Sequence, residues 1–354
     1  MKSERDSFDA WRHDWTRRDV LAAGGIALLG LAGCETSGAS PTPSVTSQAM
    51  PSPSPANSTP GSSPTSIPAS PVTLAFTGDV MFGRTVNSHM LATTARDPYP
   101  FTHTADVLRG FDLTIGNLEC VISRQGTPVP KTYTFRGDPR AYERLLTAGF
   151  DLVSVANNHS GDYGKAAFLD EFSTLPLHGI TPIGGGHNKR QAHLPIVKTV
   201  RGTTVAFLAY DEIVPLSFAA TATTPGHAWL NEADLRSDIA QARPVADFVI
   251  VFVHWGIEYV TSMNAHQRAL AQAAIDAGAD LVVGAHPHVI EPHEFYKGKL
   301  IVYSLGNFVF DNMYEEVVRR GNILTVSIQK QQLLTWKLLP TRIGDWGEPS
   351  LLQQ

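Results

Sequence analysis

Five short apolar runs in this chain each end in a carboxylate, an amide or a histidine. Residues 72–76 lead to Gly78-Asp79, and residues 113–115 to Gly116-Asn117-Leu118-Glu119. Residues 152–155 lead to Asn157-Asn158-His159, residues 248–253 to His254, and residues 281–283 to Gly284-Ala285-His286-Pro287-His288. The runs are rich in Val, Ile, Leu and Phe and lack the polar alternation of a half-exposed strand. Such runs suit strands covered on both faces, although periodicity alone is compatible with buried helix. Laid side by side, they predict Asp79, Glu119, Asn158, His254, His286 and His288 along one edge of one sheet. These are the oxygen and nitrogen donors of a divalent-metal site.

Between the runs the pattern turns helical. Residues 138–148, 231–242 and 265–277 read as helices, the first opened by Asp138-Pro139 and closed by Gly149, the third closed by Gly278. Helix, short turn, Asp and apolar strand recur, which predicts βαβ units. Residues 291–296, 299–304, 322–329 and 333–340 read as strands with tight turns such as Lys297-Gly298, forming hairpins of a second sheet. The predicted class is α/β, a four-layer α/β/β/α sandwich with ligands bound at strand ends. The folded domain is placed at residues 72–340, with 341–354 as a C-terminal tail.

Residues 1–34 address the chain rather than fold it. Arg17-Arg18 precede an apolar stretch at 22–32, too short for a permanent span, which closes on Leu31-Ala32-Gly33-Cys34. The arrangement resembles a twin-arginine export signal ending in a bacterial lipoprotein box. It implies export by the twin-arginine route, cleavage before Cys34, and acyl chains that anchor the protein to the outer face of the cytoplasmic membrane. Residues 35–71 are mostly Pro, Ser, Thr, Ala and Gly, a composition that predicts a disordered linker. Extended, it spans on the order of 110 Å at ~3.1 Å per residue. A net charge of −5 gives no electrostatic case for nucleic acid as a partner. With Cys34 committed to lipid, Cys120 has no second thiol and reads as a small buried apolar residue.

Taken singly, the ligand candidates have ordinary alternatives. Asp79 also suits a turn, Asn117 and Glu119 are ambiguous, and His254 fits a core histidine bonded to a carbonyl. Asn157-Asn158-His159 is harder to explain away, because amides and imidazole are costly to bury unpaired. Pro287, between His286 and His288, predicts an extended backbone with both rings on one side. His103, His178, His187, His193 and His227 fall in loops or at helix edges and are set aside. Residues 211–230 form a long irregular stretch, either a substrate-covering loop or a surface excursion.

Six motifs in order resemble one known family. They are Gly78-Asp79, Asn117-Leu118-Glu119, Ala156-Asn157-Asn158-His159, His254-Trp255-Gly256-Ile257-Glu258, Gly284-Ala285-His286-Pro287-His288 and Tyr303-Ser304-Leu305-Gly306-Asn307-Phe308. The family is the capsule-synthesis (CapA-type) family, linked to poly-γ-glutamate biosynthesis and similar in fold to calcineurin-like metallophosphoesterases. The resemblance runs from about Thr73 to about Phe310. It implies Asp79 on one metal, Asn117 or Glu119 at the bridging position, Asn158, His254 and His286 on a second metal, and His288 back on the first. One or two ions of Mn, Zn or Fe are implied. His159 matches the histidine that protonates a leaving group. Arg84 would bind an anionic group of the substrate or make a surface salt bridge. Glu258 would orient His254 or act as a base, and Asp162 would orient His159 or make a turn. Met81 stands where the phosphoesterases have a histidine and is a poor ligand; Asn117 stands where they have a bridging Asp. These departures imply one well-held metal and a weaker second.

The leading expectation is a lipid-anchored, metal-dependent hydrolase or transferase-like protein acting on an anionic polymer or wall component, with a membrane-bound synthase as partner. Two other readings stay open. One is a catalytically inert subunit that binds polymer or synthase and assists export. The other is a phosphoesterase acting on nucleotides or phospholipid head groups. No Ser-His-Asp arrangement can be placed from the sequence.

Overall fold

In the computed structural model, residues 70–94, 97–311 and 313–353 are described. The expected export signal, Cys34 and the linker as far as residue 69 lie outside the described residues. No helix among the described residues is long and apolar enough to cross a membrane.

Val72–Val80 is the axis of the first sheet. It runs parallel to Leu113–Leu118, with Leu152–Ser154 and Thr181–Ile183 continuing outward in the same direction. On its other side it pairs antiparallel with Arg320–Gln329, followed by Gln332–Ile343 and Pro349–Leu351. Asn307–Val309 lies parallel to its last residues. The second sheet orders His293–Tyr296, Lys299–Val302, Leu281–Ala285, Phe248–His254, Thr203–Asp211 and Ile196–Val200, parallel inside and antiparallel at both edges.

Three apolar seams hold four layers. Phe76, Ile115 and Leu152 of the first sheet meet Phe207, Phe252 and Val283 of the second across the middle seam. The outer face of the first sheet is covered by Arg84–Ala92, Arg140–Ala148 and Gly164–Thr174, which bury Val86, Leu145 and Phe168. The outer face of the second is covered by Glu232–Ala242 and Ala265–Ala277, through Ile239 and Leu270. Strands buried on both faces explain the continuous apolar runs, and the order is α/β/β/α as expected. Ala265–Ala277 starts at a capping box between Asn264 and Gln267 and stops at Gly278 with φ +114°.

Three expectations need correction. The five apolar runs do not share one sheet: three belong to the first and two, ending at His254 and Ala285, to the second. The late hairpins do not form a sheet of their own. His293–Tyr296 with Lys299–Val302 extends the second sheet, and Arg320–Gln329 with Gln332–Ile343 extends the first. Nor is 341–354 a tail, since the strand continues to Ile343 and Thr341 pairs with Leu351 in the edge strand. Backbone pairing makes that edge, which the polar and turn-rich sequence there does not advertise.

Glu171 is fully buried under the first sheet, where one carboxylate oxygen accepts from the Ile122 N–H and the other has no partner. Burial pushes its pKa up from 4.5 to about 8. A raised carboxyl gives stability that is present below its unfolded pKa and lost as pH rises through the folded one. Glu171→Gln is therefore expected to remove a loss of stability, on the order of a few kcal/mol, between pH 4.5 and about 8. Urea denaturation at several pH values, wild type against variant, checks this.

Candidate metal centre

Strand register brings the ligand candidates together. Asp79 lies beside Asn117 and Asn307 in the first sheet, and His254 lies between Asp211 and Ala285 in the second. Both sheets end at one place, so the site is built from two edges rather than one. Glycines let the segment 303–306, which links the two sheets, pass close to both strand ends. A Cβ at Gly78 would stand 1.8 Å from the Gly306 carbonyl oxygen, and one at Gly284 would stand 1.9 Å from that of Tyr303.

Glu119 is the centre. Its Oε1 lies 3.7 Å from His288 Nε2 and 3.9 Å from the Nε2 atoms of His254 and His159. Two groups of donor atoms each fall within 4.8 Å of one another: Glu119 with His286 and His288, and Asp79 with Glu119 and His254. Glu119 is common to both groups. Asn117 instead supplies hydrogens: its Nδ2 donates to Asp79 Oδ1 at 2.8 Å and meets His254 Nδ1 at 3.1 Å, while its Oδ1 accepts from Asn157. Asn158 Oδ1 lies 3.1 Å from His254 Nε2. His288 Nδ1 is 3.0 Å from Asn307 Oδ1 and 3.2 Å from Asp79 Oδ2. Met81 is turned away from ligation, its sulfur accepting from the Gly83 N–H at 2.7 Å.

The unpaired atoms test whether a cation fits. Both Glu119 oxygens and His286 Nδ1 are buried without a hydrogen-bond partner. Burial first, then the Asp79 charge, pushes Glu119 well above the carboxylate range. Burial first, then neighbouring imidazoles, holds His254 and His286 well below the histidine range. For His288 burial also lowers, but its bond to Asp79 outweighs this and the pKa is raised. A buried acid beside two neutral imidazoles, those of His254 and His286, is a donor set that a divalent cation would satisfy.

The two histidines around Pro287 do not sit on an extended backbone. The strand stops at Ala285, and His286 and His288 take φ +98° and +58°. Left-handed backbone at non-glycine residues is held only where the surroundings over-determine it, and such strain gathers at functional sites.

His159 rests on Phe135 at 4.0 Å between ring centres. Its Nδ1 meets Asp162 Oδ2 at 2.6 Å, and Asp162 also accepts from the Phe135 N–H, so it both orients the ring and shapes the turn. Burial lowers His159 to about 4, against the pull of Asp162. Arg84 binds Asp311 at 2.5 Å and lies 4.7 Å above the Phe135 ring on the face of the same stack, a partly buried pair rather than a surface one. Glu258 does not orient His254, whose two ring nitrogens face Asn117 and Asn158 instead. It is half-buried, and its charge adds to the rise of Glu119.

Sequence reasoning missed Lys131. Its ammonium joins the Asn158 carbonyl at 2.5 Å, Asp162 at 2.9 Å and His159 Nδ1 at 3.1 Å. It comes from a segment without helix or strand, so no spacing pointed to it. Among the histidines set aside, His193 is buried against Asp238 at 2.7 Å. His227 is fully buried: its Nδ1 meets Ser160 Oγ at 2.9 Å and its Nε2 lies 3.2 Å from Asp211 Oδ2. The Ser160–His227 contact is a hydrogen bond, whereas His227 Nε2 and Asp211 Oδ2 are both buried without a hydrogen-bond partner. The 211–230 stretch delivers His227, pairing Gly226–His227 with Gly185–Gly186.

A family model described as bacterial capsule synthesis protein PGA_cap matches residues 73–312, which include every ligand candidate. The chain belongs to this family. The PGA biosynthesis protein CapA of Bacillus subtilis (strain 168) is 35% identical over 240 residues, covering 67% of this chain and 63% of that protein. The capsule biosynthesis protein CapA of Bacillus anthracis is 32% identical over 248 residues, covering 68% and 60%. The chain thus spans less than two thirds of the length of these relatives. A solved 5′-nucleotidase precursor from Thermus thermophilus aligns over 80% of this chain and 54% of its own, at 13% identity and a TM-score of 0.44. That likeness is too distant to carry an argument about chemistry.

The centre holds its acid under a strain that Glu119→Gln would relieve. Without metal, the variant is expected to be more stable than the wild type, by a margin that grows as pH rises above 4.5, the ordinary glutamate value. With metal, it is expected to bind at least tenfold more weakly. Chemical denaturation with and without chelator, beside metal titration, measures both; equal stability in the two metal-free proteins would contradict the account.

Proposed function

We propose that this protein is a metal-dependent, hydrolase-like member of the capsule-synthesis family that acts on an anionic polymer, poly-γ-glutamate or a related wall component. The observation that carries this reading is Glu119, a buried carboxylate with no hydrogen-bond partner, shared by two groups of nitrogen and oxygen donors. Asp79, Glu119, Asn158, His254, His286 and His288 are the residues that would hold one or two ions. The chemistry such an ion supplies is a lowered pKa for bound water and polarisation of the scissile oxygen. The polymer comes from the relatives named for PGA and capsule biosynthesis.

The chain's own residues divide the remaining work. Asp162 and Lys131 occupy the Nδ1 side of His159, which leaves Nε2, on the Glu119 side, to take up a proton and hand it to a leaving group. Arg84 keeps its guanidinium over Phe135 and partly exposed, where it attracts an anionic group while Asp311 holds it in place. Glu258 supplies a nearby carboxylate able to serve as a base. A second reading, an inert polymer-binding or synthase-associated export subunit, is favoured by Asn117 and Met81, whose polar atoms are committed to hydrogen bonds. In either reading the protein is exported by the twin-arginine route, anchored through Cys34 to the outer face of the cytoplasmic membrane, and works beside a membrane-bound synthase.

Metal content decides between the readings. Protein purified without a His tag is expected to carry near-stoichiometric Mn, Zn or Fe by inductively coupled plasma mass spectrometry. The His254→Ala/His286→Ala double variant is expected to lose it. The loaded wild type should then shorten γ-glutamyl oligomers; absence of metal in both proteins after reloading would leave the export subunit. For the anchor, Cys34→Ala is expected to abolish palmitate labelling and release the protein from membranes, and labelling that persists would remove the lipoprotein assignment.

A further inference from the structure

Seven non-glycine residues among those described take a left-handed φ. Three of them, Arg201, Lys297 and Lys330, open two-residue hairpin loops, where the turn itself requires it. The other four, Arg84, Tyr259, His286 and His288, come from distant stretches of chain and meet at the candidate metal centre. Backbone strain persists only where the surroundings hold it, and a cluster of outliers is ground for assigning function. His286 and His288 are donor residues, and Arg84 is the partly exposed cation beside them. Tyr259 is neither.

Tyr259 is the third residue of a turn from Ile257 to Val260, closed by the Val260 N–H on the Ile257 carbonyl at 3.3 Å. A positive φ at that place favours glycine or asparagine, yet a tyrosine occupies it at φ +64°. Two contacts fix it to the centre. Its N–H donates to the Pro287 carbonyl at 2.8 Å, between the two strained histidines, and its ring centre lies 6.1 Å from that of His288. The residue is 44% exposed, so burial of apolar surface does not account for a tyrosine here. The charges of Glu258, Glu119 and Arg84 all act on its phenol. Arg84 is reached through the same rings. His288 lies 4.9 Å from the Phe310 ring centre, and the Arg84 guanidinium lies 5.7 Å from it. The His288–Phe310 pair therefore carries Tyr259 at one end and Arg84 at the other.

We propose that Tyr259 is a substrate-contacting residue whose hydroxyl donates to an anionic oxygen at the mouth of the centre, beside Arg84, while its ring walls the His288 side. The assignment rests on the hydrolase-like reading of the centre. It adds to that reading a neutral donor paired with a charged one, a combination that recognises an oxyanion. Planar carboxylates and tetrahedral phosphoryl groups share this chemistry.

The test uses the full chain, metal-loaded, with inorganic phosphate and acetate as probes in isothermal titration calorimetry. Tyr259→Phe removes the hydroxyl and keeps the ring. Tyr259→Gly removes the ring and relieves the backbone. Metal content and chemical denaturation are measured on each protein. Tyr259→Phe is expected to keep wild-type metal content and stability while its affinity for at least one probe falls about tenfold, as for one lost hydrogen bond to a charged group. Tyr259→Gly is expected to lose the same affinity and to be no less stable than the wild type, because glycine takes this φ freely. Weakening confined to one probe supports the assignment and identifies the oxyanion as planar or tetrahedral. Probe binding unchanged in Tyr259→Phe but weakened in Arg84→Ala overturns the assignment and leaves the hydrolase-like reading standing. A wild type that holds metal and binds neither probe also overturns it. A wild type that holds no metal after reloading removes the reading and the assignment together.

Discussion

An unpaired carboxylate in a buried place dominates this structure. Burying Glu119 without a hydrogen bond is costly, and burying it beside Asp79 adds like-charge repulsion. Everything around it limits that cost. Asn117 gives Asp79 a hydrogen that a carboxylate at that position could not give. His254 and His286 stay neutral among one another. Asn157, Asn158 and Asn307 hold the remaining atoms in place through neutral bonds. The amides let the acidic centre persist without drawing in more charge, and the donor set they frame is one that a divalent cation would satisfy.

The second dependency is mechanical. Half of the donors come from one sheet and half from the other, and a packed apolar seam separates the two sheets along most of their length. At the strand ends the segment 303–306 passes from the second sheet to the first, meeting Gly284 at Tyr303 and Gly78 at Gly306. The bond from Ser160 to buried His227 adds a polar contact on one flank. Buried polar contacts of this kind contribute specificity of arrangement more than net stability.

Much of this could be read from residue order. Strands buried on both faces leave continuous apolar runs, and each run stopped at the residue that the structure puts in the centre. Helix ends at Gly149 and Gly278 were equally plain, because a left-handed turn favours glycine there. Pairing was not readable. Nothing in residues 248–253 says that their neighbours are 203–211 and 281–285 rather than 72–80, since partner choice is settled by contacts far apart in sequence. The extended reading of His286-Pro287-His288 failed because tertiary contacts override the local preference before proline. Lys131 had no periodic context at all, and His227 was indistinguishable from a loop histidine until Gly226 paired with Gly186.

The donors are strung along the chain, from Asp79 near the start of the described fold to His288, more than two hundred positions later. No fragment of modest length contains a usable set. During synthesis the early strands can pair and pack while the acid among them waits. The segment that supplies His286 and His288 arrives late, and Asn307 of the following motif then braces His288. A cation held by this donor set would therefore be a signature of a finished chain. A truncated or misassembled molecule would be distinguishable from an intact one by its failure to retain a cation.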